Sequence, residues 1–124
     1  MTNFDKSGMC LIEGDCIEKM RELPDACIDL VVTSPPYNVG IKYNSYNDSL
    51  PEDEYWAFTE RWIAELGRIV KRGGRVCINI PIMGNNPLMK KSEKYLFHLP
   101  QYLEMLKKHF FLRECLTWIK SWAE

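Results

Sequence analysis

The chain has 124 residues, of which 46% are apolar and 27% are charged, and its formal net charge is −1. These values predict one globular domain without the basic excess that is common in nucleic-acid-binding proteins. No apolar run reaches the roughly 18 residues of a membrane-spanning helix, so no membrane partner is predicted. The five cysteines are scattered and form no CxxC pair, which favours neither disulfides nor a metal site. Since no signal-peptide pattern is present, we predict a cytoplasmic location.

The first predicted elements are a strand, a helix and a second strand. The segment "MCLIEG", residues 9–14, is typical of a short strand that ends in a glycine turn. Asp15 then lies where a helix N-cap belongs, ahead of the helical pattern "CIEKMREL". The run "CIDLVVT", residues 27–33, is short, β-branched and nearly all apolar. Such a run predicts a parallel strand that is buried on both faces.

A long loop and a long helix follow. Residues 34–51 are polar and lack periodicity, and a loop of this length in a compact domain is usually functional. The segment "SLPEDEYWAFTERWIAELGRIVKRGG" predicts a helix that Ser49 caps and that Gly73-Gly74 terminates. Its apolar face, with a spacing of three and four residues, consists of Tyr55, Phe58, Trp62, Leu66 and Ile69.

The last part of the chain predicts three more elements. "RVCINIP", residues 75–81, is typical of a strand, residues 92–110 of a helix with a restart at Pro100, and residues 111–120 of a final strand. Strands that alternate with helices predict an α/β fold with a largely parallel sheet flanked by helices.

The motif Ser34-Pro35-Pro36-Tyr37 lies at the carboxyl end of the second predicted strand, where ligands bind in sheets of this kind. The two prolines restrict the backbone. The Ser34 hydroxyl and the Pro35 carbonyl can accept hydrogen bonds, and Tyr37 adds a flat aromatic face. Two acceptors beside a ring suit a planar group that bears an exocyclic NH₂. The alternative is a plain Pro-Pro turn or a ligand for a proline-binding domain, although a disordered ligand motif would not follow a buried strand.

The stretch "LIEGDCIEKMRELPDACIDLVVTSPPYNVGIKY", with the later "GGRVCINIP", resembles the DNA amino-methyltransferases, which make N4-methylcytosine or N6-methyladenine. The resemblance implies a partial Rossmann-like fold, S-adenosylmethionine as cofactor and double-stranded DNA as substrate. It implies that the loop formed by Ser34, Pro35 and Pro36 binds the NH₂ group of a flipped base, with the Ser34 hydroxyl and the Pro35 carbonyl as acceptors. Tyr37 would stack on that base. The Asp15 carboxylate would lie near the cofactor adenine, although a simple N-cap accounts for Asp15 equally well.

The first residue of the motif bears on which base is methylated. A serine there resembles the cytosine-N4 enzymes, whereas aspartate is commoner in the adenine enzymes. We therefore expect cytosine N4 as the target, with adenine N6 as the alternative. Methylation of cytosine C5 is set aside, because it needs a nucleophilic cysteine beside a proline in this region and none is so placed.

The glycine-rich turn that holds the methionine part of the cofactor, typically like "DPFxGSGT", is not found in this sequence. Permuted members of the family place the catalytic part first. We therefore interpret residues 1–124 as the N-terminal catalytic portion of a methyltransferase domain, without its cofactor-binding half and target recognition region. A complementary C-terminal half or a second copy of the chain is the expected partner. Two alternatives are an enzyme that methylates amines or amides in protein or RNA, and a non-catalytic interaction module.

Overall fold

The structure is a computed structural model, and it describes residues 3–4, 8–81 and 98–119. The larger sheet is a parallel pair whose two strands are joined through the longest helix, which confirms the predicted α/β class. Among the described residues no helix is long and apolar enough to cross a membrane. The elements are β1 (Asn3–Phe4), β2 (Cys10–Leu11), α1 (Cys16–Arg21), β3 (Ile28–Thr33), α2 (Glu52–Ile69), β4 (Val70–Ile78) and α3 (Leu99–Leu106).

The core forms along one face of α2. This face carries a stripe of buried side chains: Tyr55, Thr59, Trp62, Ile63, Leu66 and Ile69. Ile17 of α1 and Tyr102 of α3 pack into the same cluster. The predicted apolar face is therefore confirmed, except that Phe58 is only partly buried. A helix with such a stripe is stabilised mainly by burying it against neighbouring elements.

The β3–β4 pair buries one face only. In its register Val31 lies beside Val76, and both pack on the core. Their neighbours point the other way, and Leu30 and Val32 are 55% and 74% exposed. The prediction of a strand buried on both faces is therefore wrong for the structure described, because the helices cover a single side. We call the exposed side chains of Leu30, Val32 and Cys77 the open face.

The carboxyl end of α2 differs from the prediction. The helix ends at Ile69 and passes directly into β4, so Gly73-Gly74 lies inside a strand and caps nothing. The main-chain N–H groups of Ala26 and Cys27 donate to the carbonyls of Arg68 and Ile69 at 3.0 and 2.8 Å. Since these carbonyls are satisfied by the segment before β3, the helix ends without a glycine cap.

Gly73-Gly74 instead lies where the pairing of β3 and β4 is irregular. The register between β3 and β4 shifts between Ile28 and Leu30. Gly73 has a φ of +83° there, which a residue with a side chain adopts only under strain. At the other end of α2 the N-cap is Pro51, without a side-chain hydrogen bond, and not Ser49 as predicted.

The predicted first and last strands do not join the parallel sheet. Residues 10–11 pair antiparallel with residues 3–4 in a separate ladder. Pairing between near neighbours closes a short loop and so costs less chain entropy. The described part of the predicted final strand, residues 111–119, forms no strand. Strand formation depends on a partner more than on local preference. The predicted helix over 92–110 is observed at Leu99–Leu106, with Pro100 in its first turn, and residues 92–97 lie outside the described residues.

Candidate active site

The Ser34–Tyr37 segment directly follows the carboxyl end of β3, as predicted. The neighbouring strand delivers a second polar residue to the same edge. The Asn79 N–H donates to the Thr33 carbonyl at 2.9 Å, which continues the ladder by one residue and brings Asn79 beside Ser34. The carboxyl ends of adjacent parallel strands thus create a polar corner, the usual position of a ligand site in such a sheet.

Polar groups of three residues meet in this corner. The Ser34 Oγ and the Tyr37 Oη are 2.7 Å apart. The main-chain carbonyl oxygen of Asn79 lies 3.2 Å from the Tyr37 Oη and 3.5 Å from the Ser34 Oγ. The Asn79 Nδ2 lies 3.3 and 3.4 Å from the same two oxygens. The tyrosine hydroxyl is therefore folded back onto the serine, and the asparagine contacts both.

A buried pair of tyrosines holds the loop from behind. The Tyr55 hydroxyl donates to the Pro36 carbonyl at 2.8 Å and lies 2.7 Å from the Tyr102 hydroxyl. Tyr55 has one proton, and the carbonyl can only accept, so Tyr102 must be the donor to Tyr55. Both side chains are 1% exposed, and burial is the main cause that raises the pKa of each phenol. The two hydroxyls stay protonated and link α2 and α3 to the loop.

His98 fixes the next residue of the loop. Its Nε2 lies 3.1 Å from the Tyr37 carbonyl, which can only accept, so the proton is on Nε2. The imidazole packs against the rings of Tyr55 and Trp56, with centroids 5.3 and 5.0 Å away. Burial is the largest influence on the pKa of His98 and lowers it, while the hydrogen bond to Tyr37 acts in the opposite direction.

The His98 pKa predicts a pH dependence of stability. A pKa that is lower in the folded state means that the unfolded chain binds more protons around the ordinary value of 6.5. The free energy of unfolding should therefore fall as the pH drops through 6.5, by at most about 1.4 kcal/mol per pH unit. In His98→Asn, which keeps a residue that tolerates the φ of +50° at this position, the slope should be shallower. Denaturant titrations between pH 5 and 8 measure the free energy of unfolding of the wild type and of His98→Asn. The same pH dependence in both proteins would contradict the prediction.

The long loop after the motif is tied together by one carboxylate. Asp48 is 2% exposed. Its two oxygens accept from the N–H groups of Asn38, Val39 and Ile41 at 3.1, 3.1 and 2.9 Å. The Asn38 side chain in turn donates to the Leu50 carbonyl at 2.9 Å and accepts from the Leu50 N–H at 2.7 Å. The start and the end of the loop are therefore held next to each other.

This loop forms one wall of a cleft of about 390 Å³ beside the motif. Ser34 and Pro36 line the cleft from the motif side, and residues 43–46 line it from the loop side. Tyr43 is half exposed, and its ring lies edge-on to that of Tyr46 at a centroid distance of 6.1 Å. The cleft is shallow and largely open to solvent, and it places aromatic side chains beside the polar groups of the motif.

Asp15 lies apart from this corner in the chain, at the start of α1. Its Oδ1 accepts from the N–H groups of Ile17 and Glu18 at 2.9 and 3.1 Å, which confirms the predicted N-cap. Within the described residues no group of three or more histidine, cysteine, aspartate and glutamate side chains could hold a metal ion.

The remaining site residues were missed in the sequence analysis. Asn79 had a usable signal, because it is the first strongly polar residue near the end of the apolar run "RVCINIP". Tyr55 and Tyr102 lie in segments whose apolar residues have helical spacing. That pattern does not distinguish a tyrosine that only fills the core from one that also binds a loop. Nothing local to Asp48 or His98 marks either residue as a contact of this loop.

Residues 28–123 match the DNA methylase family, which is well over half of the chain. The chain belongs to this family. The resemblance predicted from the Ser34–Tyr37 motif and its flanks is thereby confirmed. The matched residues include the motif, the loop beside the cleft, α2, β4 and α3. Asp15 lies before the matched residues.

Individual DNA methylases are similar over part of their length. The type II methyltransferase M.MjaVI of Methanocaldococcus jannaschii is 44% identical over 79 residues, which are 64% of this chain and 40% of that protein. M.ScaI of Streptomyces caespitosus is 34% identical over 62% of this chain and 24% of its own length. The DNA adenine methyltransferase YhdJ of Escherichia coli is 29% identical over 62% of this chain and 26% of its own length. The chain thus spans less than half the length of these relatives.

Proposed function

We propose that this chain carries the catalytic loop of a DNA methyltransferase that transfers a methyl group from S-adenosylmethionine to the exocyclic amine of a flipped base. The observation that carries the proposal is the polar corner of Ser34, Tyr37 and Asn79, which lies beside a cleft in a member of the DNA methylase family. A base must leave the duplex before its amine can reach such a corner.

In this proposal the loop positions the amine and no covalent intermediate with the protein forms. The Ser34 hydroxyl and the Pro35 carbonyl accept the two N–H bonds of the NH₂ group. This draws the nitrogen lone pair out of conjugation with the ring and directs it away from the loop. Tyr37 stacks on the base. Rigid placement of the reacting nitrogen provides most of the rate enhancement, and the hydrogen bond from Tyr55 to Pro36 maintains that placement.

The cofactor supplies the methyl group as an electrophile. Asp15 fits a contact to its adenosine part, because the carboxylate is exposed while the N–H groups of Ile17 and Glu18 fix its direction. Within the described residues, Gly73-Gly74 lies inside β4 and does not form the turn that would receive the methionine part. We propose that a segment outside the described residues makes that contact.

Cytosine N4 is the proposed target, since a serine opens the motif. Adenine N6 is the second candidate, and the observation that favours it is the similarity to a relative named as a DNA adenine methyltransferase. Both bases present an NH₂ group of the same kind. Digestion of the methylated DNA to nucleosides and mass spectrometry separate N4-methyl-deoxycytidine from N6-methyl-deoxyadenosine.

We further propose that a complementary C-terminal portion of the methyltransferase covers the open face. Leu30 and Val32 form an apolar surface on a two-stranded sheet, and each relative is more than twice as long as the part that this chain matches. Contiguous exposed apolar surface is typical of interaction sites, and the unmatched length of the relatives supplies the candidate partner. A second copy of the chain is the competing occupant. Analytical ultracentrifugation distinguishes them, because a stable dimer of the isolated chain would favour the second copy.

The proposed function is tested by calorimetry with S-adenosylmethionine and by methyl transfer to unmethylated DNA. We expect weak or no cofactor binding by the chain alone, and activity in a version that is extended at its C-terminus. In the extended protein, Tyr37→Ala should lower kcat/KM by about 5- to 150-fold, the worth of one base–aromatic stack. Ser34→Ala should also lower it, whereas Ser49→Ala, at an exposed serine, serves as the matched control.

Two results would overturn the proposal. One is unchanged activity in a correctly folded Tyr37→Ala protein. The other is the absence of methyl transfer in an extended protein that binds the cofactor, which would favour a non-catalytic module.

A further inference from the structure

We propose that the Tyr37 hydroxyl, in addition to the ring, is a positioning group that sets the direction of the Ser34 proton. In this arrangement Ser34 donates to Tyr37, Tyr37 donates to the Asn79 carbonyl, and Ser34 presents a lone pair to the incoming amine. The inference builds on the proposed function, in which Ser34 must accept a hydrogen bond from NH₂.

The available protons allow two ways of linking the Ser34 hydroxyl, the Tyr37 hydroxyl and the Asn79 carbonyl by hydrogen bonds. Each hydroxyl has one proton, the Asn79 carbonyl can only accept and the Asn79 Nδ2 can only donate. In the first arrangement Tyr37 donates to the carbonyl and Ser34 donates to Tyr37, so one Ser34 lone pair is left for a ligand after Nδ2 has used the other. In the second, Tyr37 donates to Ser34 and Ser34 donates to the carbonyl. One Ser34 lone pair is then occupied by Tyr37, and the Nδ2 donor at 3.4 Å competes with a ligand for the other.

The distances favour the first arrangement. It places the carbonyl bond on the Tyr37 Oη at 3.2 Å, while the second requires the Ser34 Oγ to reach the same carbonyl at 3.5 Å. Both contacts are longer than the roughly 3.0 Å of an ordinary hydroxyl hydrogen bond, and the bond weakens with distance, so the contact at 3.2 Å is the stronger of the two. The 2.7 Å bond between the two hydroxyls is made in either case.

The Asn79 side chain limits where the two hydroxyl protons can point. Its NH₂ group faces both hydroxyl oxygens, at 3.3 and 3.4 Å. A hydroxyl proton that turned towards this NH₂ group would meet another donor. The 2.7 Å contact between the two hydroxyl oxygens requires a proton between them. When the Tyr37 proton points to the carbonyl, that proton comes from Ser34.

This polarity selects a class of base. The amino groups of cytosine and adenine bring protons to the Ser34 lone pair, whereas the O4 of thymine and the O6 of guanine would bring a second lone pair. A site that accepts from N–H groups disfavours a ligand that cannot donate, because two lone pairs would then face each other. The Tyr37 hydroxyl therefore contributes to specificity for amino-bearing bases.

The direction of the bonds can be measured by NMR on the full chain without any substrate. With ¹³C at tyrosine Cζ, the Tyr37 signal is assigned by its loss in Tyr37→Phe. In Ser34→Ala we expect this signal to move towards that of a phenol that donates but does not accept. Asn79→Asp, which places an acceptor beside Ser34, should move it in the same direction. A shift towards a phenol that no longer donates, or no shift in either variant, would overturn the proposal.

Ligand binding gives a second measurement. The probes are 2′-deoxycytidine and N4,N4-dimethyl-2′-deoxycytidine, which lacks the amine protons. The wild-type chain should prefer the first, and Tyr37→Phe should reduce that preference by about fivefold, the worth of one neutral hydrogen bond, while it keeps the ring. A preference that survives intact in Tyr37→Phe would contradict the role of the hydroxyl. If the wild type shows no preference, Ser34 does not accept a hydrogen bond from the base amine, and the proposed function is wrong on that point. The NMR experiment still decides the direction of the bonds within the corner.

Discussion

Asp48→Ala is expected to lower the free energy of unfolding by about 3 kcal/mol and to open the loop over residues 38–50. The substitution removes a buried carboxylate that accepts three main-chain N–H bonds, and hydrogen bonds to charged acceptors are among the stronger ones. Urea denaturation measures the loss. Hydrogen exchange should show faster exchange at the amides of Asn38, Val39 and Ile41.

The matched control for this substitution is Asp53→Ala. Asp53 is an exposed aspartate in the first turn of α2, where a carboxylate contributes about 0.3–1 kcal/mol through the helix dipole. If Asp48→Ala cost no more than this control, the carboxylate would not be what organises the loop. The result also bears on the cleft, since residues 43–46 lie on the same loop.

Tyr55→Phe is expected to cost about 2–3 kcal/mol, although it deletes a single oxygen atom. The substitution leaves the partly buried Pro36 carbonyl without this donor and the buried Tyr102 hydroxyl without this acceptor. Unpaired buried groups cost more than the bond itself contributed. Tyr102→Phe should cost only about 1 kcal/mol, because Tyr55 can still donate to Pro36. Thermal or urea denaturation measures both.

A double-mutant cycle sharpens this prediction. The protein with both Tyr55→Phe and Tyr102→Phe should be less destabilised than the sum of the single variants, since the two hydroxyls act in one chain of bonds. Tyr43→Phe, at a half-exposed tyrosine, is the control and should change stability by less than about 0.5 kcal/mol. Additive costs would show that the buried tyrosines do not act together, and the link from α3 to the loop would then be wrong.

Some features of the fold could be predicted because their causes are local. The apolar face of α2 follows from a spacing of three and four residues, and the N-cap at Asp15 follows from one side chain and the next three residues. The end of α2 could not be predicted in this way. Gly73-Gly74 is a good local stop signal, but the helix ends earlier, where its carbonyls meet the N–H groups that precede β3.

Strand predictions failed where the partner was not local. Residues 27–33 form β3 because β4 lies beside them, with the difference that one face stays exposed. Residues 111–119 carry a comparable apolar pattern and form no strand in this structure. A strand satisfies its backbone only by pairing, so the pattern predicts the ability to pair and not the pairing itself.

The sequence by itself determined that an apolar strand delivers Ser34-Pro35-Pro36-Tyr37 to a sheet edge, and the family followed from that motif and its flanks. Only the tertiary structure decided which residues surround the motif. Tyr55, Asn79 and His98 contact it from 19, 45 and 61 positions along the chain. The physical reason is that parallel strands bring their carboxyl ends together through a long crossover, and the residues that meet there share no local pattern.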